Sequence, residues 1–401
     1  MIQEYEKPQT IESSTVATAS NSCSSIACGP QSWADYFEAP THWHQSVNKY
    51  KMELNSKFVN AANQPMSYMP LSPEASRVAI NAVQLFEVLE EHRGGARHVE
   101  GSMHWKRIKG RDYLYRCFTG GKNRSIGPRS DETQRIKEDF DARKAAYKAR
   151  EGSLKEQLQL HAAYVRANRL NRFPLVGARV IRALQRRGIP FRIIGTNALY
   201  AYEARAGVMI EPQHLATADM DVLMDARQGM RIVAALEGDT LMAVLQASDR
   251  TFVPLIRGRF KFRAGNADGY LIDLITQAES PMAMNDFERE LDADDLKPVG
   301  IYSLKWVIAS PLFKAVVFDE RGTPLRLNTL DPRAFVLHKW HAGHQPDRDA
   351  LKRHRDQAQA RIVASLLHHE LRELPTTRAV ERAFPHLLTQ QARAGLDDLD
   401  V

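Results

Sequence analysis

The chain has 401 residues, 43% of them apolar and 26% charged, a composition that excludes wholesale disorder and allows a sizeable core. At about 150 residues per domain the length predicts two or three domains. Fifty-five Lys and Arg against 48 acids leave a formal charge of +7, too small a surplus to name a partner, so its placement along the chain decides what it means.

Residues 1–65 are rich in Ser, Thr, Ala and Asn without sustained periodicity, and predict a mostly disordered leader. The N-terminus has early acids and no apolar signal core, and no run of about 18 uncharged apolar residues occurs, so neither export nor a membrane span is expected. Cys23, Cys28 and Cys117 are odd in number and lack metal-ligand spacing, which points to a reducing cytoplasm. Residues 66–130 read as a helix followed by a basic β-hairpin module. Ser72, Pro73 and Glu74 form a helix start, and Val78, Ala82, Leu85, Phe86 and Leu89 recur at three and four up to a stop near Gly94. From Met103 to Phe118 aromatic and branched residues surround the turn Lys109-Gly110-Arg111-Asp112, and a third short run reaches Ile126, as in a hairpin or small meander.

Residues 131–175 are charged and nearly free of Gly, and predict long solvent-lined helices serving as a linker between two lobes. Residues 176–280 read as an α/β core. Val176, Val180, Ile181 and Leu184 make a helical stripe closed by Arg186, Arg187 and Gly188. Phe191–Ile194 is a buried-strand candidate, Gly195-Thr196 breaks it, and Asn197–Arg205 is helix-like up to Gly207. Asp219–Leu223 is a short strand, and Phe260–Arg263 and Tyr270–Ile275 flank a loop with Gly265 and Gly269. Residues 281–401 predict a mostly helical C-terminal lobe, with helical patterns after Asp331-Pro332 and from Asp347 to His369.

Five Asp-x-Asp pairs occur in the chain, so spacing does not choose among them. Context favours Asp219 and Asp221, which precede the apolar run Val222-Leu223-Met224. Strand alternation puts both carboxylates on one face, where they repel unless a cation lies between them. Asp273 stands alone in the apolar strand Tyr270–Ile275, where an unpaired charge is costly, and a metal would serve as its partner. At Gly195-Thr196 a strand turns into a helix. The backbone N–H groups and the Thr196 hydroxyl there suit a phosphate, although a Gly turn with a Thr cap satisfies the same pattern.

Taken together, Ile193-Ile194-Gly195-Thr196-Asn197-Ala198, Thr217-Ala218-Asp219-Met220-Asp221-Val222-Leu223 and Asp273 resemble the active-site signature of the DNA polymerase beta-like nucleotidyltransferases. Their order and spacing are closest to a little-characterised bacterial group with a basic segment before the core. The resemblance covers residues from Ser72 to Leu367, with Thr196 in place of the usual Ser and a longer stretch between Thr196 and Asp219. It implies an α/β fold of the α+β kind: a mixed-sheet core, with the basic hairpin module before it and the helical lobe after it. It also implies that Gly195 and Thr196 grip the triphosphate of an NTP, and that Asp219, Asp221 and Asp273 are catalytic and hold two magnesium or manganese ions. Such ions, ~4 Å apart, stabilise the entering and leaving oxygens in phosphoryl transfer. Downstream, His338-Lys339 and Lys352-Arg353-His354-Arg355-Asp356 resemble motifs of abortive-infection nucleotidyltransferase toxins. That likeness makes Lys339 a nucleotide-phosphate contact and leaves Asp356 to pair with a neighbouring Arg.

Between Trp105 and Arg129 eight cations face one acid, Asp112, with Trp105, Tyr113, Tyr115 and Phe118 interleaved. Stacking on unpaired bases and neutralising phosphates require this mixture, and Arg107, Lys109 and Arg111 are the nucleic-acid-binding candidates; core packing of the aromatics would account for part of it. Arg166–Arg192 adds eight arginines and no acid, which predicts positive potential beside the phosphate turn. The function expected is transfer of a nucleoside monophosphate from an NTP to a hydroxyl acceptor, RNA or DNA among the candidates. The alternative is a non-catalytic nucleic-acid-binding protein on the same fold.

Overall fold

The structure is a computed structural model that describes residues 67–118, 121–257, 260–278, 291, 294–374 and 378–396. The expected leader, with Cys23 and Cys28, lies outside the described residues. β1 (Tyr68–Pro70) leads into α1 (Pro73–Gly94), capped by Ser72, whose Oγ accepts from the Ala75 N–H at 3.2 Å. Ala75, Val78, Ala82 and Leu89 form its buried stripe. β2 (Ser102–Ile108), β3 (Arg111–Cys117) and β4 (Asn123–Pro128) make an antiparallel meander. Its first turn puts Lys109 at φ +48° and Gly110 at φ +80°, the mirror-image turn whose twist matches that of a hairpin.

α2 (Asp131–Ala167) is one continuous helix of 37 residues, where the composition predicts several. Gly152 does not break it, since a lone helical Gly costs only about 1 kcal/mol against Ala. Ser130 and Thr133 form a reciprocal cap at its start. Phe140 packs with Met103 and Leu114 of the meander, and Val165 with Val78, Ala82 and Phe318. The same helix thus supports the meander at one end and meets α1 and the core at the other.

α3 (Leu175–Arg186) precedes β5 (Arg192–Ile194), a short 3-10 turn at Gly195–Ala198, α4 (Leu199–Ala206) and β6 (Val208–Ile210), which pairs with β1. α5 (Pro212–Leu215), β7 (Asp219–Leu223), α6 (Gly229–Leu236) and α7 (Leu241–Gln246) come next. Then come β8 (Val253–Arg257), β9 (Phe260–Gly265) and β10 (Leu271–Gln277). The core sheet has the order β12-β13-β5-β7-β10-β9-β8, with β11 (Val299–Ile301) parallel to the end of β10. It is mixed: β7 with β10 and β13 with β5 run parallel, and the remaining pairs along that path are antiparallel. The α/β class is therefore as expected.

The extent of the sheet is not. The sequence patterns place the end of the core at 280 and predict a mostly helical stretch over residues 281–401. Helices do prevail there: α8 (Leu304–Ala309), α9 (Pro332–Gly343), α10 (Ala350–His369), α11 (Arg378–Ala383) and α12 (His386–Gly395). Yet β12 (Leu312–Phe318) and β13 (Pro324–Leu330) form a hairpin that covers the edge of β5, with Thr329 opposite Ile193. An uncovered β5 would leave its backbone groups unpaired beside fully buried Ile193 and Ile194, so the strand needs this neighbour. From Tyr68 on, the described residues form one compact unit. Among the described residues no helix is long and apolar enough to cross a membrane.

Candidate active site

Register across the sheet places Ile194, Asp221, Asp273 and Arg263 in one row, on β5, β7, β10 and β9. Asp219 lies two residues before Asp221 on the same face of β7, opposite Leu271. Both aspartates are half-buried, whereas Met220 and Val222 between and beyond them are sealed in the core. Thr217 Oγ1 donates to Asp219 Oδ1, and Asn197 Nδ2 donates to the Asp219 carbonyl at 2.7 Å, tying the turn after β5 to the start of β7.

Gly195 shows why that turn requires glycine. Its φ is +67°, and a Cβ there would collide with Asp221 Oδ2. Gly195→Ala should therefore cost about 1–2 kcal/mol for the backbone alone, and displace the Asp221 carboxylate as well. A urea midpoint unchanged from the native protein would contradict this close approach.

Asp273 is 2% exposed. Its partner is a side chain: Arg263 donates from Nε to Oδ1 at 2.5 Å and from Nη2 to Oδ2 at 2.7 Å. A buried acid here needs a cation, and the cation present is the guanidinium of Arg263, at the end of the strand candidate Phe260–Arg263, in place of the expected metal. Among the described residues Asp221 has no ion-pair partner of this kind. Burial, together with the charges of Asp273 and Asp219, pushes its carboxyl up to about 6.

Thr196 is buried, and its Oγ1 accepts from Arg355 Nη2 at 3.3 Å and Gln359 Nε2 at 3.2 Å, both on α10. Gln359 also donates to the His214 carbonyl at 2.9 Å. Helix geometry puts Arg355 and Gln359, four apart, on one face of α10. Arg355 falls within the Lys352–Asp356 run that the sequence marks without assigning it a role, whereas Gln359, an amide at helical spacing, carries no signal before the helix is docked.

Lys339, on α9, is 3% exposed and donates from Nζ to Asp356 Oδ1 at 2.6 Å, while Arg348 Nε reaches Asp356 Oδ2 at 2.6 Å. Burial lowers the Lys339 ammonium pKa against the opposing charge of Asp356. Burial also disfavours the Asp356 charge, but Lys339 and Arg348 outweigh it and hold the carboxyl below its ordinary value. Lys339 remains within electrostatic reach of Asp221.

Arg107, Lys109 and Arg111 are exposed around the β2–β3 turn and make no ion pair among the described residues. Other cations of the basic segments are engaged. Arg129 lies 5.2 Å over the Trp105 ring and pairs with Asp112; Arg116 lies 5.0 Å over Phe118 and donates to the Glu100 carbonyl. Within the second basic segment, Arg172 pairs with Glu203 and Arg182 with Asp319, Arg187 meets Asp239, and Arg192 donates to the carbonyls of Val307, Ile308 and Ser310. The positive potential expected beside the phosphate turn is correspondingly reduced, because these guanidiniums stitch strands and helices together.

Among the described residues no group of three or more His, Cys, Asp or Glu side chains is gathered to hold a metal ion. The donors that fit a hard divalent cation are Asp219 and Asp221, two carboxylates on one face of β7, where burial first and the charges of Asp273 and Asp219 after it raise the Asp221 pKa. Asp273 gives one lone pair of each oxygen to Arg263 and keeps the other.

A family model described as nucleotidyltransferase matches residues 176–385, just over half of the chain, from within α3 to the segment before α12. No curated protein and no solved structure matches the chain.

Proposed function

The chain belongs to this nucleotidyltransferase family, and from that premise we propose that it transfers a nucleoside monophosphate from an NTP to a hydroxyl acceptor and releases pyrophosphate. The acceptor oxygen attacks the α-phosphorus, the bond to the β-phosphate oxygen breaks, and pyrophosphate leaves. The observation that carries this reading is the row of Asp221 and Asp273 on neighbouring parallel strands, with Asp219 on the same face and the Gly195-Thr196 turn packed against Asp221. Magnesium or manganese would be held by Asp219 and Asp221, with Asp273 contributing its remaining lone pairs, and supplies the positive charge that a triphosphate and two facing carboxylates both need. Arg263 donates to both Asp273 oxygens, and the proton released by the acceptor hydroxyl passes to water.

One observation favours the second reading, a nucleic-acid-binding protein without turnover: Asp273 is engaged by Arg263. Incubation with each α-labelled NTP, magnesium or manganese, and in turn RNA, single-stranded DNA and a small-molecule extract separates the two. Label on one acceptor class, lost with Asp219→Ala, supports transfer; metal-independent nucleic-acid binding with no label transferred supports the second reading.

The exposed cations of the meander support RNA as the acceptor. Replacing Arg107, Lys109 and Arg111 by Ala should weaken RNA binding and reduce the slope of log affinity against log salt by about 2, given ~0.7 per phosphate on a single strand. A slope unchanged in this variant assigns the three residues to solubility.

A further inference from the structure

We propose that Arg355 is the side-chain cation that binds the triphosphate, and that Lys339 serves to position it. The inference rests on the nucleotidyl-transfer reading and names a phosphate contact that the sequence signature assigned elsewhere.

Lys339 is poorly placed to hold a substrate anion. It is 3% exposed, and its ammonium is spent on Asp356, a carboxylate already shared with Arg348. Drawing it toward a phosphate would strand a buried carboxylate, at a cost of several kcal/mol. Arg355 has the opposite properties. It is half-buried, pairs with no carboxylate among the described residues, and uses one donor on Thr196 Oγ1, leaving most of its five N–H donors for an anion.

The hydrogen-bond polarity at Thr196 points the same way. Arg355 Nη2 and Gln359 Nε2 both donate to Oγ1, and neither group accepts a proton there. The hydroxyl hydrogen is therefore free to serve as a donor, and no acceptor for it occurs among the described residues. A hydroxyl donor and a guanidinium fork side by side suit a group with several acceptor oxygens and negative charge. Asn197, next in the chain, is bonded to the Asp219 carbonyl, so the same anion lies near the two carboxylates proposed to hold a metal. A polyphosphate carrying its own divalent cation meets both requirements; a simple carboxylate ligand would only be repelled by Asp219 and Asp221.

The role of Lys339 comes from helix geometry. Asp356 is the residue after Arg355, and its clamp by Lys339 and Arg348 fixes the rotation of α10 about its axis. Gln359, one turn on, is held to the His214 carbonyl. These ties aim Arg355 at Thr196.

The test is equilibrium binding of an α,β-methylene NTP analogue, the corresponding monophosphate and the nucleoside, each with magnesium, to the full chain and its variants. Arg355→Gln should weaken the triphosphate analogue about 30-fold, the equivalent of about 2 kcal/mol for a charge-assisted hydrogen bond. Nucleoside binding and Tm should be unchanged, and Arg355→Lys should recover part of the loss. Lys339→Met should lower Tm and triphosphate affinity together. Native affinity for the triphosphate in Arg355→Gln overturns the proposal, as does a greater loss in Lys339→Met at unchanged Tm. Triphosphate binding that depends on Arg355 in a protein that labels no acceptor upholds this inference and overturns transfer; a native chain that binds no triphosphate overturns both.

Discussion

Asp221→Asn should abolish nucleotidyl transfer, by at least about 10³-fold, while leaving the protein folded and more stable than the native chain above pH 6. The activity loss would come from removing one of the two carboxylates on one face of β7 that are proposed to hold the divalent cation opposite a triphosphate. The stability gain comes from the raised pKa. Burial and the charges of Asp273 and Asp219 push the Asp221 carboxyl up to about 6, against 3.8 for the ordinary group. Between those values the folded protein holds a proton that the unfolded chain releases, so this group's contribution to stability falls as pH rises through the window, and stays lost above it. Asn cannot ionise. The two proteins should therefore be about equally stable near pH 4, with the variant ahead by about 2 kcal/mol at pH 7 in the absence of metal. Urea titrations at pH 4, 5, 6 and 7 measure the difference. Manganese should raise the Tm of the native chain and not that of the variant, since only a cation bound to the folded form stabilises it. Undiminished turnover in Asp221→Asn would remove Asp221 from the site.

The largest expected stability effect belongs to Arg263→Leu. Asp273 is 2% exposed and both of its oxygens accept from the Arg263 fork. Taking away the guanidinium leaves an unpaired carboxylate on an interior strand of the sheet, a change that typically costs about 3–5 kcal/mol. Against a total of about 5–15 kcal/mol for a folded domain, this is a large share. Adding Asp273→Asn to the same chain removes the buried charge and should recover more than half of the loss, with a coupling energy above about 1.5 kcal/mol in the double-mutant cycle. Independent, additive effects of the two substitutions would mean that the pair is not the buried, mutually satisfying contact that its geometry indicates.

Much of the local structure was legible in the chain because its causes are local. Ser72 and Pro73 start α1 through a side-chain cap and a fixed φ, Lys109-Gly110 turns the hairpin through two positive φ values, and Asp219–Leu223 alternates as a half-buried strand must. The α/β class and the resemblance to nucleotidyltransferases rest on such short-range patterns, together with the spacing of Gly195, Thr196, Asp219, Asp221 and Asp273. The hairpin of β12 and β13 was legible in principle, since Pro324–Leu330 alternates and Gly322 turns the chain with φ +77°, but its place beside β5 was not. Pairing across more than 130 residues is decided by which exposed edge remains to be covered. Other partners had the same origin. The sequence determined that a buried Asp273 needs a cation, and the burial of Ile272 and Leu274 around it fixes that requirement. Only the tertiary structure decided that Arg263 meets it, that Asp356 rather than a phosphate takes the charge of Lys339, and that Arg355 stands over Thr196. Charges neutralise whatever lies within a few ångströms once strands are in register and helices are docked, and those distances are set by the packing of the whole sheet and not by the neighbours in the chain.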